Sequence, residues 1–214
     1  MMIADPEGHN VLKINMETCE IGLYNHEPAM RWPNDIAIGF NDIIYATDPD
    51  YPTSSGRIYR IDTTGKSTII EDNMGLVNGI EVGPDEKTLY VAESNERNIW
   101  VFNLSPDGNT SNKHLHCKVP DRVDGMRIDV DGNLYVTQKV QIRKRENGTI
   151  AKVSPQGKIL FEVDVVGKNS SNVCFGDHDG RTLYITVADR ENIQTFRVDR
   201  PGRSWQLFKK WKLL

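Results

Sequence analysis

No run of this chain approaches the ~18 consecutive apolar residues of a membrane-spanning helix, and its amino terminus lacks a basic start followed by an apolar stretch. The expectation is therefore a soluble, cytoplasmic chain with no membrane partner. Cysteine is scarce: Cys19, Cys117 and Cys174 are odd in number and follow no metal-ligand spacing. Free thiols in a reducing compartment are expected rather than a disulfide framework. An excess of positive charge is also missing. A net charge of −4 and a pI near 5.8 argue against nucleic acid as a partner. The basic cluster from Arg143 to Arg145 precedes the Asn147-Gly148 turn and reads as a solvated loop. The sequence has no Gly-Lys-Ser/Thr phosphate loop and no Gly-x-Ser-x-Gly elbow, which removes nucleotide hydrolysis and serine-esterase chemistry from the front rank. Nor does any stretch carry the pattern of a long amphipathic helix.

What the chain has instead is a repeat. Asn78-Gly79-Ile80-Glu81-Val82 leads through Gly83-Pro84-Asp85 to Leu89-Tyr90-Val91-Ala92, and related segments begin at Asn34, Asp124 and Asn172, spaced 44, 46 and 48 residues apart. Each is a polar residue, a short alternating apolar run, a tight turn and a second run centred on Tyr45, Tyr90, Tyr135 or Tyr184. That pattern predicts a β-hairpin. A hairpin recurring at this period is the signature of a β-propeller, whose four-stranded blades bury their faces only against neighbours.

The expected fold is thus all-β, a single propeller domain over 1–214. Residues 1–30 read as part of a blade, followed by blades at 34–72, 78–119 and 124–166 and by a blade with tail at 172–214. Four blades and part of another leave a ring incomplete and an edge open. The apolar tail residues Trp205, Leu207, Phe208 and Trp211 are expected to cover some of that edge, leaving a monomer or an edge-mediated homodimer.

The first residue of each hairpin precedes the innermost strand of its blade, so Asn34, Asn78, Asp124 and Asn172 should converge at the channel mouth. Convergent amide and carboxylate oxygens make a hard-oxygen site suited to calcium or magnesium. The plainer alternative is that Asn and Asp simply cap the turns before strands. Four in register favour the site.

Arg31-Trp32-Pro33-Asn34-Asp35 with Tyr45-Ala46-Thr47-Asp48-Pro49, then Val77-Asn78-Gly79 with Leu89-Tyr90-Val91-Ala92, then Asp124-Gly125-Met126, and last Asn172-Val173-Cys174-Phe175-Gly176 with Thr182-Leu183-Tyr184-Ile185-Thr186, together resemble the gluconolactonase/regucalcin (senescence marker protein) family. The resemblance covers nearly the whole chain. It implies a six-bladed propeller with a divalent metal in its channel, calcium first and zinc, magnesium or manganese as alternatives. It also implies hydrolysis of a sugar lactone such as gluconolactone. Under it Asn78 and Asp124 match metal ligands, and Asp124 also matches the residue that activates water. Asn34 matches a position that contacts substrate or, in some relatives, the metal, and Asn172 matches a channel-facing polar residue behind the ligands. Two departures stand out. The family's first metal ligand is a Glu near the start of its first blade, whereas Glu7 and Glu20 here fall in turns of the wrong blade. Many relatives place an Arg two residues before the Asn, where this chain has Trp32, with Arg31 one position further away.

Other candidates are weaker. Asp129-Val130-Asp131-Gly132-Asn133 looks like a calcium loop but lacks an acidic residue at Val140 and reads as a hairpin turn. His114 and His116 share one face of an outer strand and read as surface histidines, and His178 sits in a turn. The rival to a lactonase is a non-catalytic calcium-binding or protein-interaction propeller without the full metal cage.

Overall fold

The computed structural model describes the chain except residues 40, 142–144 and 211–214 and the side chains of 209 and 210. Arg143 of the basic cluster and Trp211 of the tail lie outside the described residues. The strands form five antiparallel sheets in sequence order. The first contains β1 (Met2–Asp5), β2 (Asn10–Ile14) and β3 (Ile21–His26). The second contains β4 (Ile36–Ile38), β5 (Ile44–Asp50), β6 (Ser55–Ile61) and β7 (Ser67–Met74). The third contains β8 (Val77–Val82), β9 (Thr88–Glu93), β10 (Asn98–Leu104) and β11 (Thr110–Lys118). The fourth contains β12 (Arg122–Ile128), β13 (Leu134–Lys139), β14 (Thr149–Val153) and β15 (Ile159–Asp164). The fifth contains β16 (Ser170–Gly176), β17 (Thr182–Val187) and β18 (Asn192–Arg197). An eight-residue helix, α1 (Arg203–Lys210), follows. This is an incomplete β-propeller of five blades.

Burial follows each blade from channel to rim. The middle strands β5 and β14 are buried along their whole length, whereas the outermost strands β7, β11 and β15 expose many side chains. Their apolar residues meet between blades rather than within them. Tyr90, Ala92, Ile99 and Val101 pack on Val123, Met126, Leu134 and Val136, and Tyr135 and Ile150 pack on Val173, Leu183 and Ile185. This is why the hairpins repeat: a blade lacking a neighbour leaves one such layer in water.

The turns fix which strand is outermost. Gly65 and Gly157 hold φ of 85° and 76°, and a Cβ there would lie 2.4 Å from Tyr24 O and 2.2 Å from His116 O respectively. Only glycine permits both the conformation and the approach. Because His116 lies on the outermost strand β11, the matching contact identifies β3 as the outer strand of its own sheet. Among the described residues, no strand lies inside β1.

Blade contacts run in sequence order from β4 and β5 to β8, from β8 and β9 to β12, and from β12 and β13 to β16. Among the described residues no comparable contact joins β16–β18 to β1–β3. The tail was expected to cover part of that edge; its described contacts are with β16 and the 177–180 turn of the last blade and with the far end of the channel. Val130 N–H donates to Pro201 O at 3.0 Å, Trp205 Nε1–H donates to His178 O at 3.2 Å, and Gly202 lies against the Phe175 ring. The three cysteines are free, and no described helix is long and apolar enough to cross a membrane.

Candidate functional site at the channel mouth

The inner strands β4, β8, β12 and β16 all run from the channel mouth toward α1, so residues at their starts share one end. Three of these strands carry a bulge there. Register shifts fall between Val77 and Ile80 on β8, between Val123 and Met126 on β12, and between Ser170 and Asn172 on β16. A bulge leaves a residue out of the ladder and re-aims its side chain. Here the residues concerned are Asn78-Gly79, Asp124-Gly125 and Ser171.

Hydroxyls on the second strands hold these irregular backbones. Thr47 Oγ1 accepts from Asp35 N–H at 3.1 Å and donates to Asn78 O in the next blade at 2.7 Å. Ser94 Oγ donates to Val123 O, and Thr137 Oγ1 donates to Gly125 O at 2.9 Å. Asn172 N–H donates to Thr186 Oγ1 at 3.0 Å. Thr47, Thr137 and Thr186 each stand two residues after the central Tyr of their hairpin, and the third blade uses Ser94 in place of a Thr at Ala92.

The four residues expected to converge do so. Asn34 Nδ2 donates to Asn78 Oδ1 at 3.0 Å, Asn78 Nδ2 donates to Ser94 Oγ at 3.3 Å, and the Asp124 carboxylate neighbours Asn78. All four face one cavity of about 340 Å³. Bare glycines permit this closeness. A Cβ on Gly125 would sit 2.2 Å from Asn172 Oδ1, and one on Gly79 would sit 2.7 Å from Asp124 O and 3.0 Å from Met126 N. Gly79 therefore separates two inner strands by backbone alone. Gly79→Ala is expected to lower unfolding free energy by about 1–3 kcal/mol through overpacking, read by urea denaturation. An unchanged midpoint would mean that the strands part without cost.

The same cavity holds residues that the sequence did not single out as site candidates: Lys139, Arg122, Tyr51, Asp35 and Ser171. Lys139 Nζ is ion-paired with Asp124 Oδ2. Burial pushes the Asp124 pKa up, opposed chiefly by the adjacent ammonium of Lys139. Below this tier Arg127 grips Asp35 with two hydrogen bonds of 3.0 and 3.1 Å, and its Nε lies 3.9 Å from Glu81 Oε2. Burial works against the Arg127 charge, but Asp35 and then Glu81 outweigh it and raise its pKa. At the far end Arg203 reaches Glu86 Oε1 at 3.0 Å, Glu81 Oε1 at 3.4 Å and Ile38 O at 2.9 Å. Each acid down the channel thus has a cation beside it: Asp124 has Lys139, Asp35 has Arg127, and Glu81 lies between Arg127 and Arg203.

The weaker sequence candidates lie elsewhere. Arg31 is ion-paired with Asp50, and Glu7 and Glu20 are exposed in the first sheet's turns. The Asp129 carboxylate accepts from Asp131 N–H at 3.0 Å and Asn133 N–H at 2.9 Å, closing the hairpin turn. His116 sits edge-on to Tyr90, with its pKa lowered by burial, and His114 caps its own strand through Asn112 O.

Residues 2–189 match a family model described as the SMP-30/Gluconolactonase/LRE-like region. A gluconolactonase of Zymomonas mobilis is 28% identical over 179 residues, covering 73% of this chain and 48% of the relative. A pentonolactonase of Haloferax volcanii is 27% identical over 162 residues, covering 70% of this chain and 53% of the relative. The chain therefore spans about half the length of the curated relatives it matches. In three dimensions 94% of it superposes on 72% of regucalcin, a calcium-binding protein from Agrobacterium tumefaciens, with a TM-score of 0.78 at 16% identity, a likeness of fold.

Proposed function

The chain belongs to the SMP-30/gluconolactonase/LRE-like family, and from that membership we propose that it hydrolyses a small sugar lactone at the channel mouth with the help of a divalent cation. The observation that carries this reading is the convergence of Asn34, Asn78 and Asp124, from three successive blades, on one polar cavity. Their oxygens fit a hard dication in kind: two neutral amides and one carboxylate, with calcium preferred over zinc, magnesium or manganese. They supply a single negative charge, and among the described residues no group of three or more His, Cys, Asp or Glu side chains is placed to hold a metal ion. The ion they suit is therefore held weakly, since affinity follows ligand charge and number.

When bound, such an ion supplies Lewis-acid polarisation of the lactone carbonyl. Asp124 accepts the proton of the attacking water. Its raised pKa makes it a stronger base than an exposed carboxylate, and the Lys139 ammonium favours its ionised form. Asn34 and Asn78 orient the ring through amide groups that cannot take a proton. Asn172 closes the wall beside Gly125. Thr47, Ser94 and Thr137 hold the bulged backbones in place, so the constellation is formed before substrate arrives.

The single anionic donor also favours a second reading, a propeller that binds calcium or a protein without catalysis. Two measurements on the purified chain separate them: hydrolysis of D-glucono-1,5-lactone with calcium or with chelator, and calcium binding by calorimetry. Chelator-sensitive hydrolysis above the spontaneous rate is expected. Calcium binding without turnover would replace the lactonase with the binding propeller.

A further inference from the structure

Arg122 and Lys139 are direct cross-strand partners at the ends of β12 and β13, and both line the mouth cavity. Like charges placed directly opposite each other on neighbouring strands are destabilising. The local acids do not resolve this. Asp124 is engaged by Lys139 and Asp35 by both nitrogens of Arg127. Among the described residues no carboxylate pairs with the Arg122 guanidinium. The mouth therefore has one unmatched cation, a planar fork suited to phosphate, sulfonate or carboxylate.

Beside it stands an aromatic wall. Tyr51 lines the same cavity and meets Trp32 edge-to-face at 6.2 Å, and the two rings are 47% and 43% exposed. Exposed rings of this size at a cavity mouth offer an apolar face to a sugar ring. Arg122 precedes Asp124 by two residues on β12, and although Asp124 belongs to the bulge, both side chains line the one cavity. A lactone with its carbonyl at Asp124 then brings a substituent on its far side to Arg122.

We propose that this mouth selects lactones carrying an acidic substituent, with Arg122 as the cation that recognises it and Tyr51 and Trp32 as the wall beside it. The inference rests on the lactonase reading and adds the substrate class to it. Lys139 contributes by offsetting the Asp124 charge, which would otherwise repel an anionic substrate.

The test compares kcat/KM for D-glucono-1,5-lactone, its 6-phosphate, and a lactone of glucaric acid, in the native chain and in Arg122→Gln and Arg122→Lys. Inorganic phosphate is titrated calorimetrically into the same three proteins. The acidic lactones are expected to be preferred at least about tenfold in the native chain. Arg122→Gln should reduce that preference about 10- to 100-fold, as loss of a charge-assisted contact does, and Arg122→Lys should restore part of it. The phosphate and carboxylate arms show which anion the site prefers. Phosphate binding that Arg122→Gln weakens, with no lactone turned over, would sink the lactonase reading and leave an anion site. Equal turnover of neutral and acidic lactones, with a ratio indifferent to both variants, would keep the lactonase and overturn this proposal.

Discussion

Asp124→Asn is expected to lower lactone hydrolysis by about 10²- to 10⁴-fold, the range that a positioned general base contributes, while leaving the fold intact. Asp35, the other carboxylate in the cavity, has both oxygens engaged by Arg127 and also accepts from the backbone N–H groups of Ile36 and Ile80. Asp124 is therefore the one carboxylate there whose principal partner, Lys139, is a flexible and partly exposed side chain, at 29% exposure. Asparagine keeps the size and one oxygen donor but cannot take a proton. The fold should tolerate it because burial already opposes the Asp124 charge, and the released Lys139 can turn to solvent. Initial rates beside a thermal melt decide the matter. A near-native rate would assign proton transfer to another group, and a large fall in melting temperature would make Asp124 structural. Calcium calorimetry on the same variant separates loss of the base from loss of the ion.

The blades were legible in sequence because a hairpin is local. Its alternation, its turn residues and its central Tyr lie within some fifteen residues, and four copies in register outweigh the ambiguity of each. The polar start of each hairpin could be read the same way, which is how Asn34, Asn78, Asp124 and Asn172 were found. The bulges at Asn78-Gly79 and Asp124-Gly125 could not, because a register shift belongs to the pairing of two strands. Lys139 and Arg122 were missed for the same reason: they become neighbours of the site only once β12 and β13 are aligned. The Thr two residues beyond Tyr45, Tyr135 and Tyr184 was the one local signal overlooked. The deeper charges are separated by more than the repeat, with Arg127 and Asp35 92 residues apart and Arg203 and Glu81 122 residues apart. No period in the sequence links them. The tail read as an apolar edge cover because Trp205 and Leu207 dominate its pattern, whereas Arg203 makes the longest-range contact it has.

Arg203→Met is expected to destabilise the chain by about 3–5 kcal/mol, the cost of removing one partner from a buried ion pair. Arg203 is 3% exposed and Glu81 is 7% exposed, so the carboxylate left behind has little access to water. Arg127 is its remaining cation, at 3.9 Å and committed to Asp35. Burial raises the Glu81 pKa above its unfolded value, against the pull of Arg203 and then Arg127. Ionised Glu81 therefore opposes folding. That penalty is absent below the unfolded pKa and complete once pH has risen through the folded one. Removing Arg203 raises the folded pKa further, so the variant's deficit should be largest at neutral pH and shrink toward about pH 4, near the unfolded value of a Glu. Urea unfolding at a series of pH values measures this directly. Glu81→Gln placed on top of Arg203→Met should recover part of the loss at neutral pH and flatten its pH dependence. A deficit independent of pH, or a double variant no more stable than Arg203→Met alone, would mean that Arg203 acts through the packing of α1 and its bond to Ile38 O rather than by neutralising the channel's deepest acid.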